Sequence, residues 1–97
     1  MQVQVRVYHI RPSAMETFVQ EWRERVVPLR RRFGFEVLAA WVGEKDDTFV
    51  WVMGHAGDFA SADGAYYASA ERAALDPDPA RHILEPKAFL VRPVELD

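Results

Sequence analysis

The chain has no cysteine, no long apolar run and no excess of basic charge, and each absence removes a class of function. Without cysteine there are no disulfides, thiolate zinc sites or cysteine nucleophiles. No apolar stretch approaches the roughly 20 residues that a helix needs to cross a bilayer. Twelve Lys and Arg against 15 Asp and Glu leave a net charge of −3, which argues against a broad nucleic-acid surface. Gly-rich phosphate loops, Ser-x-x-Lys motifs and G-x-S-x-G elbows do not occur. What remains is a 97-residue chain that is 49% apolar and 12% aromatic, the composition of one globular domain over 1–97. The sequence opens directly into strand-like residues, and a soluble, cytoplasmic protein is the expectation.

Period-two alternation over Gln2 to Ile10 predicts a strand, with Val3, Val5 and Val7 on one side and Gln4, Arg6 and Tyr8 on the other. Ser13 and Glu16 have capping-box spacing. Met15, Phe18, Val19, Trp22, Val26, Leu29 and Phe33 then form one apolar stripe, predicting an amphipathic helix from Ser13 to about Phe33. Pro28 predicts a kink or break after Val26, and Gly34 a left-handed close. Phe35 to Gly43 and Thr48 to His55 read as a hairpin around Glu44 to Asp47. A second helix starts near Asp58 or Ser61 and runs to Ala73, with Gly64 a weak point inside it. Asp78 and Pro79 suit a short helical turn to about Leu84, stopped by Pro86, before a last strand from Ala88 to Val94.

The order β-α-β-β-α-β predicts an α+β, ferredoxin-like fold with a four-stranded antiparallel sheet. The crossover rule makes the first and third strands neighbours, read here as parallel ones. Two helices cover one face of such a sheet, and a wet second face would alternate polar residues. It does not. Taking the Val3 side as the helix face leaves Phe49, Trp51, Met53 and His55 on the other. A patch of several hundred Å² is unusual on a monomer. Burying about 600 Å² per subunit would stabilise a dimer by roughly 15 kcal/mol before the costs of association. Two sheets closing face to face as a homodimer are therefore expected, unless the last segment or the Pro28 region folds over instead.

Arg6-Val7-Tyr8, Pro28-Leu29, Gly34-Phe35 leading to Trp41, Asp76-Pro77 and Leu90-Val91-Arg92-Pro93 together resemble NIPSNAP-type domains over essentially the whole chain. The resemblance implies a dimeric α/β barrel. That superfamily also holds cofactor-free monooxygenases, cyclases and isomerases, and haem-dependent enzymes. Strand three departs from the family's common His-x-Trp-x-Tyr pattern, reading Trp51, Met53 and His55 at those positions.

Gln4, Arg6, Tyr8, Trp51, Met53 and His55 share one face, a mostly apolar surface with few hydrogen-bonding groups and one fixed charge. Arg6 suits a carboxylate, enolate or phenolate, Tyr8 can donate to the same oxygen, and His55 is the acid–base group near neutral pH. Trp41 and Trp51 suit a planar ring. The structural alternatives are an Arg6–Glu36 pair, an interface simply filled by aromatics, and a His55 pointing into solvent. Trp41 faces the helices if it pairs with Val50 and the barrel if the loop is one residue longer or shorter. His9 falls on the helix side, His82 on the surface, and Arg30-Arg31-Arg32 reads as a solvated helix end. Tyr66 lies in a helix stripe and Tyr67 near a rim. No metal-ligand spacing is present.

Two readings follow. One is an enzyme without metal or organic cofactor, acting on a planar, mostly apolar, oxygen-bearing substrate of aromatic or polyketide-like type by isomerisation, cyclisation or oxygenation. Arg6 and Tyr8 would hold the oxyanion and His55 would move a proton. The other is a non-catalytic homodimer that binds a ligand or assembles with other chains, consistent with the thin acid–base set.

Overall fold

Alternation at the start of the chain produces the strand expected of it, and the sheet is built outward from there. The computed structural model describes residues 1–96, and in it β1 (Gln2–Ile10) is a central strand. It pairs antiparallel with β3 (Thr48–His55) on one side and β4 (Ile83–Val91) on the other, and β2 (Phe35–Val42) completes the order β2-β3-β1-β4. The first and third strands are neighbours, but antiparallel. The helical crossover sets β2 parallel to β1, and the hairpin then reverses β3 as it inserts between them.

The first helix comprises α1 (Met15–Glu21), a π-helical turn (Trp22–Val26) and α2 (Val27–Arg32). Its expected capping box does not form. Ser13 sits at φ 65° in the turn out of β1, and Ala14 precedes the helix with no side-chain cap. Nor does Pro28 break the helix. The π turn, in which the Val27 N–H reaches back to the Trp22 carbonyl, lies just ahead of it and loosens the ladder where the proline ring would otherwise clash. Gly34 closes the helix at φ 87°, as its position predicts.

The second helix, α3 (Phe59–Ala68), starts under Asp58, whose carboxylate accepts from the Ser61 N–H at 2.9 Å. It ends earlier than expected. Ser69 is extended, donates to the Tyr66 carbonyl at 2.6 Å and caps a further turn, α4 (Ala70–Ala73), by accepting from the Arg72 N–H at 3.0 Å. Gly64 is helical and exposed, and a Cβ there would meet no atom within 4 Å. Gly64→Ala is therefore expected to raise stability by about 0.5–1 kcal/mol, read as an increased urea midpoint at constant slope.

Asp78 caps a 3-10 turn (Pro79–His82), after which β4 begins at Ile83 rather than at residue 88. Pro86 lies inside that strand, opposite Tyr8. An edge strand tolerates the missing donor. No helix among the described residues is long and apolar enough to cross a membrane.

The two faces of the sheet are exchanged relative to the sequence expectation. Arg6 pairs with Trp51 and Tyr8 with Phe49, and these side chains lie under the helices, where Phe18 meets Phe49 at 5.0 Å and Trp22 meets Trp51 at 5.5 Å between ring centroids. Val3, Val5, Val7, Val50 and Val52 occupy the open face instead. Both faces of β3 are apolar, and on β1 the helices cover the side with Gln4 and Arg6 rather than the valines, so alternation groups the residues correctly without saying which group is buried. Aromatic packing against Phe18 and Trp22 decides it. A bulge between Val37 and Ala39 rephases β2, leaving Val37 on the helix side and sending Ala39 and Trp41 to the open face. Trp41 does pair with Val50, but on the side away from the helices.

Candidate functional site

Arg6 alternates with Val5 and Val7 along a central strand, so its side chain enters the space between sheet and helices and is 6% exposed. Its Nε donates to Gln4 Oε1 at 2.7 Å, one terminal nitrogen to the Tyr67 hydroxyl at 2.7 Å and the other to Asp63 Oδ1 at 3.0 Å. A second guanidinium meets the same two acceptors. Arg30 donates to Asp63 Oδ1 at 2.7 Å and to the Tyr67 hydroxyl at 3.2 Å. Its Cζ lies 3.7 Å from the Tyr66 ring centroid and 4.8 Å from that of Phe35.

Arg30 is buried because of the π turn. In an uninterrupted helix it would lie eight residues beyond Trp22, about 80° off that side chain's direction at ~100° per residue. The extra residue taken up by the π turn brings it to about seven steps, within ~20° of Trp22. The solvated helix end therefore begins at Arg31, not at Arg30.

Two buried arginines share one carboxylate, so this cluster carries a surplus positive charge. Burial works against the Arg6 charge, but the phenol oxygens of Tyr8 and Tyr67 outweigh it and its pKa lies above the ordinary value. Burial pushes the Tyr8 hydroxyl up, against the pull of Arg6, and keeps it a neutral donor at pH 7. The Tyr67 oxygen accepts from both arginines. Its two lone pairs are engaged, so its own proton is left to donate elsewhere.

That proton has somewhere to go. An inner cavity of about 50 Å³ lies between Arg6, Arg30, Trp22, Trp51 and the Tyr66–Tyr67 pair. It adjoins an outer cleft of about 410 Å³ that shares Arg6, Tyr8, Tyr67, Arg72, Ala80 and Ile83 with it and is completed by Pro86, Lys87 and Ala88. Arg72 stands at this mouth, paired with Asp78 at 3.0 Å. The wall formed by Pro79, Ala80 and Ile83 is clamped to α1, where Arg81 donates to both Glu21 oxygens at 2.9 and 2.7 Å and holds that carboxyl below the usual range.

The structure brings Gln4, Arg6, Tyr8 and Trp51 together, with Met53 fully buried further along the same face. His55 is elsewhere. It lies four residues along β3 from Trp51, roughly 13 Å away at ~3.3 Å per residue, where Nδ1 accepts from the Gly57 N–H at 2.9 Å and the ring packs on Phe35. Trp41 is on the opposite face, 58% exposed. The partner of Arg6 is Asp63, not Glu36, which lies on the open face opposite Gly54. His9 is exposed on the open face, whereas His82 packs beneath α1, its Nε2 at 3.3 Å from Glu21 Oε1. Among the described residues no three His, Asp or Glu side chains are grouped so as to hold a metal ion.

Sequence reasoning missed Arg30, Asp63, Tyr67 as a polar contact, and Arg72. The signal for two of them was present: Asp63 and Tyr67 are four apart on one helix, a spacing that puts both on one side.

No family model matches this sequence, and no curated protein sequence matches it. Solved structures do. A NIPSNAP family protein from Agrobacterium tumefaciens superposes with a TM-score of 0.85 at 18% identity, covering 97% of this chain and 93% of that one. A NIPSNAP domain protein from Burkholderia xenovorans gives 0.83 at 13% identity, over 97% and 95%. The chain shares the ferredoxin-like fold of these proteins. A structure described as an antibiotic biosynthesis monooxygenase is also similar, with a TM-score of 0.70 at 22% identity over 98% of this chain and all of that one. At these identities the likeness concerns the fold alone.

Proposed function

We propose that the cleft binds a planar, oxygen-bearing small molecule and stabilises negative charge on its oxygen. The carrying observation is the pair of buried guanidiniums on a single carboxylate, beside a hydroxyl whose proton is free. An enolate or phenolate entering there would accept from Tyr67 and Tyr8 and offset the surplus charge. Such an arrangement lowers the energy of enolic intermediates, the common need of cofactor-independent isomerisation, cyclisation and oxygenation. A neighbour of this fold described as an antibiotic biosynthesis monooxygenase supports that class. Binding without turnover is favoured by one feature: the Asp63 carboxylate is already engaged by two arginines, and His55 stands outside the cleft.

Calorimetric titration with a hydroxynaphthoquinone, ionised near neutral pH, and its neutral methyl ether tests the reading. The anion should bind at least about tenfold more tightly, or ~1.4 kcal/mol. Arg6→Ala and Tyr67→Phe should each remove most of that difference, and His55→Ala should leave it unchanged. Equal affinity for anion and ether would overturn the proposal.

The open face supports a second copy of the chain as partner. Trp41, Leu38, Phe89 and Val91 are exposed there, beside the half-buried Val3, Val5, Val7, Val50 and Val52. The cleft is built within one chain, between its sheet and its helices, and not between the two sheets of a dimer. A dimer would shield the valine face without supplying the site.

A further inference from the structure

The inner cavity differs chemically from the outer cleft. Three buried donors on its lining residues complete no hydrogen bond within the protein: Arg30 Nε, Trp22 Nε1 and Trp51 Nε1, the last lying near the Tyr8 hydroxyl without a well-aligned bond to it. Arg30 and Trp51 are each 1% exposed. An unpaired buried donor costs about 1–3 kcal/mol, and three on one cavity exceed what packing alone explains. All three are donors. A group suited to them must therefore offer acceptors, and the surplus charge of Arg6 and Arg30 favours a negative one.

Size narrows the choice. About 50 Å³ holds one or two water-sized groups, with ~30 Å³ the share of a water molecule in the liquid. A planar ring does not fit, whereas the two oxygens of a carboxylate do. The outer cleft of about 410 Å³ takes the remainder of such a molecule.

Resting on the cleft reading above, we propose that the inner cavity is a carboxylate subsite, and that the cleft's ligand is an aryl or enolic carboxylic acid bound head-first. One carboxylate oxygen accepts from the indole N–H groups of Trp22 and Trp51, the other from Arg30 Nε. The ring then lies between Tyr67 and the Ala80–Ile83 wall, where Tyr67 donates to its hydroxyl or enol oxygen. This orientation separates two tasks. The inner donors hold a charge that is present throughout, and Tyr67 meets the charge that develops.

The test uses the intact protein with three probes: a hydroxynaphthoic acid, its methyl ester and the parent naphthol. The acid should bind at least tenfold more tightly than either of the others. In spectra of protein labelled with nitrogen-15, it should move the indole N–H resonances of Trp22 and Trp51 downfield and leave that of Trp41 in place. Trp22→Phe should remove most of the preference for the acid, and Val26→Phe, which fills the cavity from the helix side, should do the same. Should either variant fail to fold, the wild-type affinities and indole shifts decide alone. If acid and naphthol bind equally and the indole signals stay put, the carboxylate subsite is wrong while the cleft reading stands. If none of the three binds, both are wrong.

Discussion

Asp63→Ala is expected to lower the folding stability of this protein by about 3 kcal/mol, the low end of what removing one partner of a buried ion pair costs. The carboxylate is 23% exposed, but its partners are not: the side chains of Arg6 and Arg30 are 8% and 1% exposed. Taking away the shared Oδ1 leaves two like charges facing each other in a poorly hydrated space. Asp63→Asn should be milder, because an amide oxygen still accepts while the negative charge is lost. Urea unfolding of the three proteins measures this. A further variant, Asp63→Ala with Arg30→Met, should recover part of the loss, since it removes one of the stranded charges and keeps the bulk against Tyr66. If Asp63→Ala unfolds at the wild-type midpoint, the two arginines are not held by this carboxylate.

The second large effect concerns assembly. Trp41→Glu is expected to weaken the proposed dimer at least about a hundredfold, or ~2.7 kcal/mol. A carboxylate on the valine face would have to be buried without a partner, which costs more than the lost indole area alone. Trp41 is already exposed in the single chain, so its replacement should leave the fold and its thermal midpoint almost unchanged. Sedimentation at micromolar concentration should show the wild type as two copies and Trp41→Glu as one. A wild type that sediments as one copy rejects the dimer, and so does a Trp41→Glu variant that remains two. In either case ligand binding should persist, because the residues of the cleft all belong to one chain.

Much of the architecture can be read along the chain. Period-two valines, a three- and four-residue aromatic stripe, Gly34 after the helix and Asp78-Pro79 before a turn each act locally, and each forms close to where its chemistry requires. The misplaced boundaries have local causes too. Ser69 took its hydroxyl to the backbone and split a helix, and Pro86 was absorbed by an edge strand that needs no donor at that point. Ser13 was taken by a left-handed turn and could not cap.

The site was half legible. Gln4, Arg6, Tyr8 and Trp51 were grouped correctly, because alternation and antiparallel pairing put them on one side whichever side that is. His55 shares their face but not their neighbourhood, since parity carries no information about distance along a strand. Arg30 was hidden by a π turn that no helical wheel at 100° per residue includes. Asp63 and Tyr67 were visible as a pair on one helix, but not as the partners of a strand residue more than fifty positions away.

The sequence by itself determined the order of elements and the sorting of the strand residues into two faces, because these follow from side-chain chemistry and local periodicity. Only the tertiary structure decided which face the helices cover, that Arg30 turns inward and that Asp63 and Tyr67 receive both guanidiniums. Those outcomes depend on how large aromatic side chains interlock across separate elements, and a pattern along one chain does not contain that.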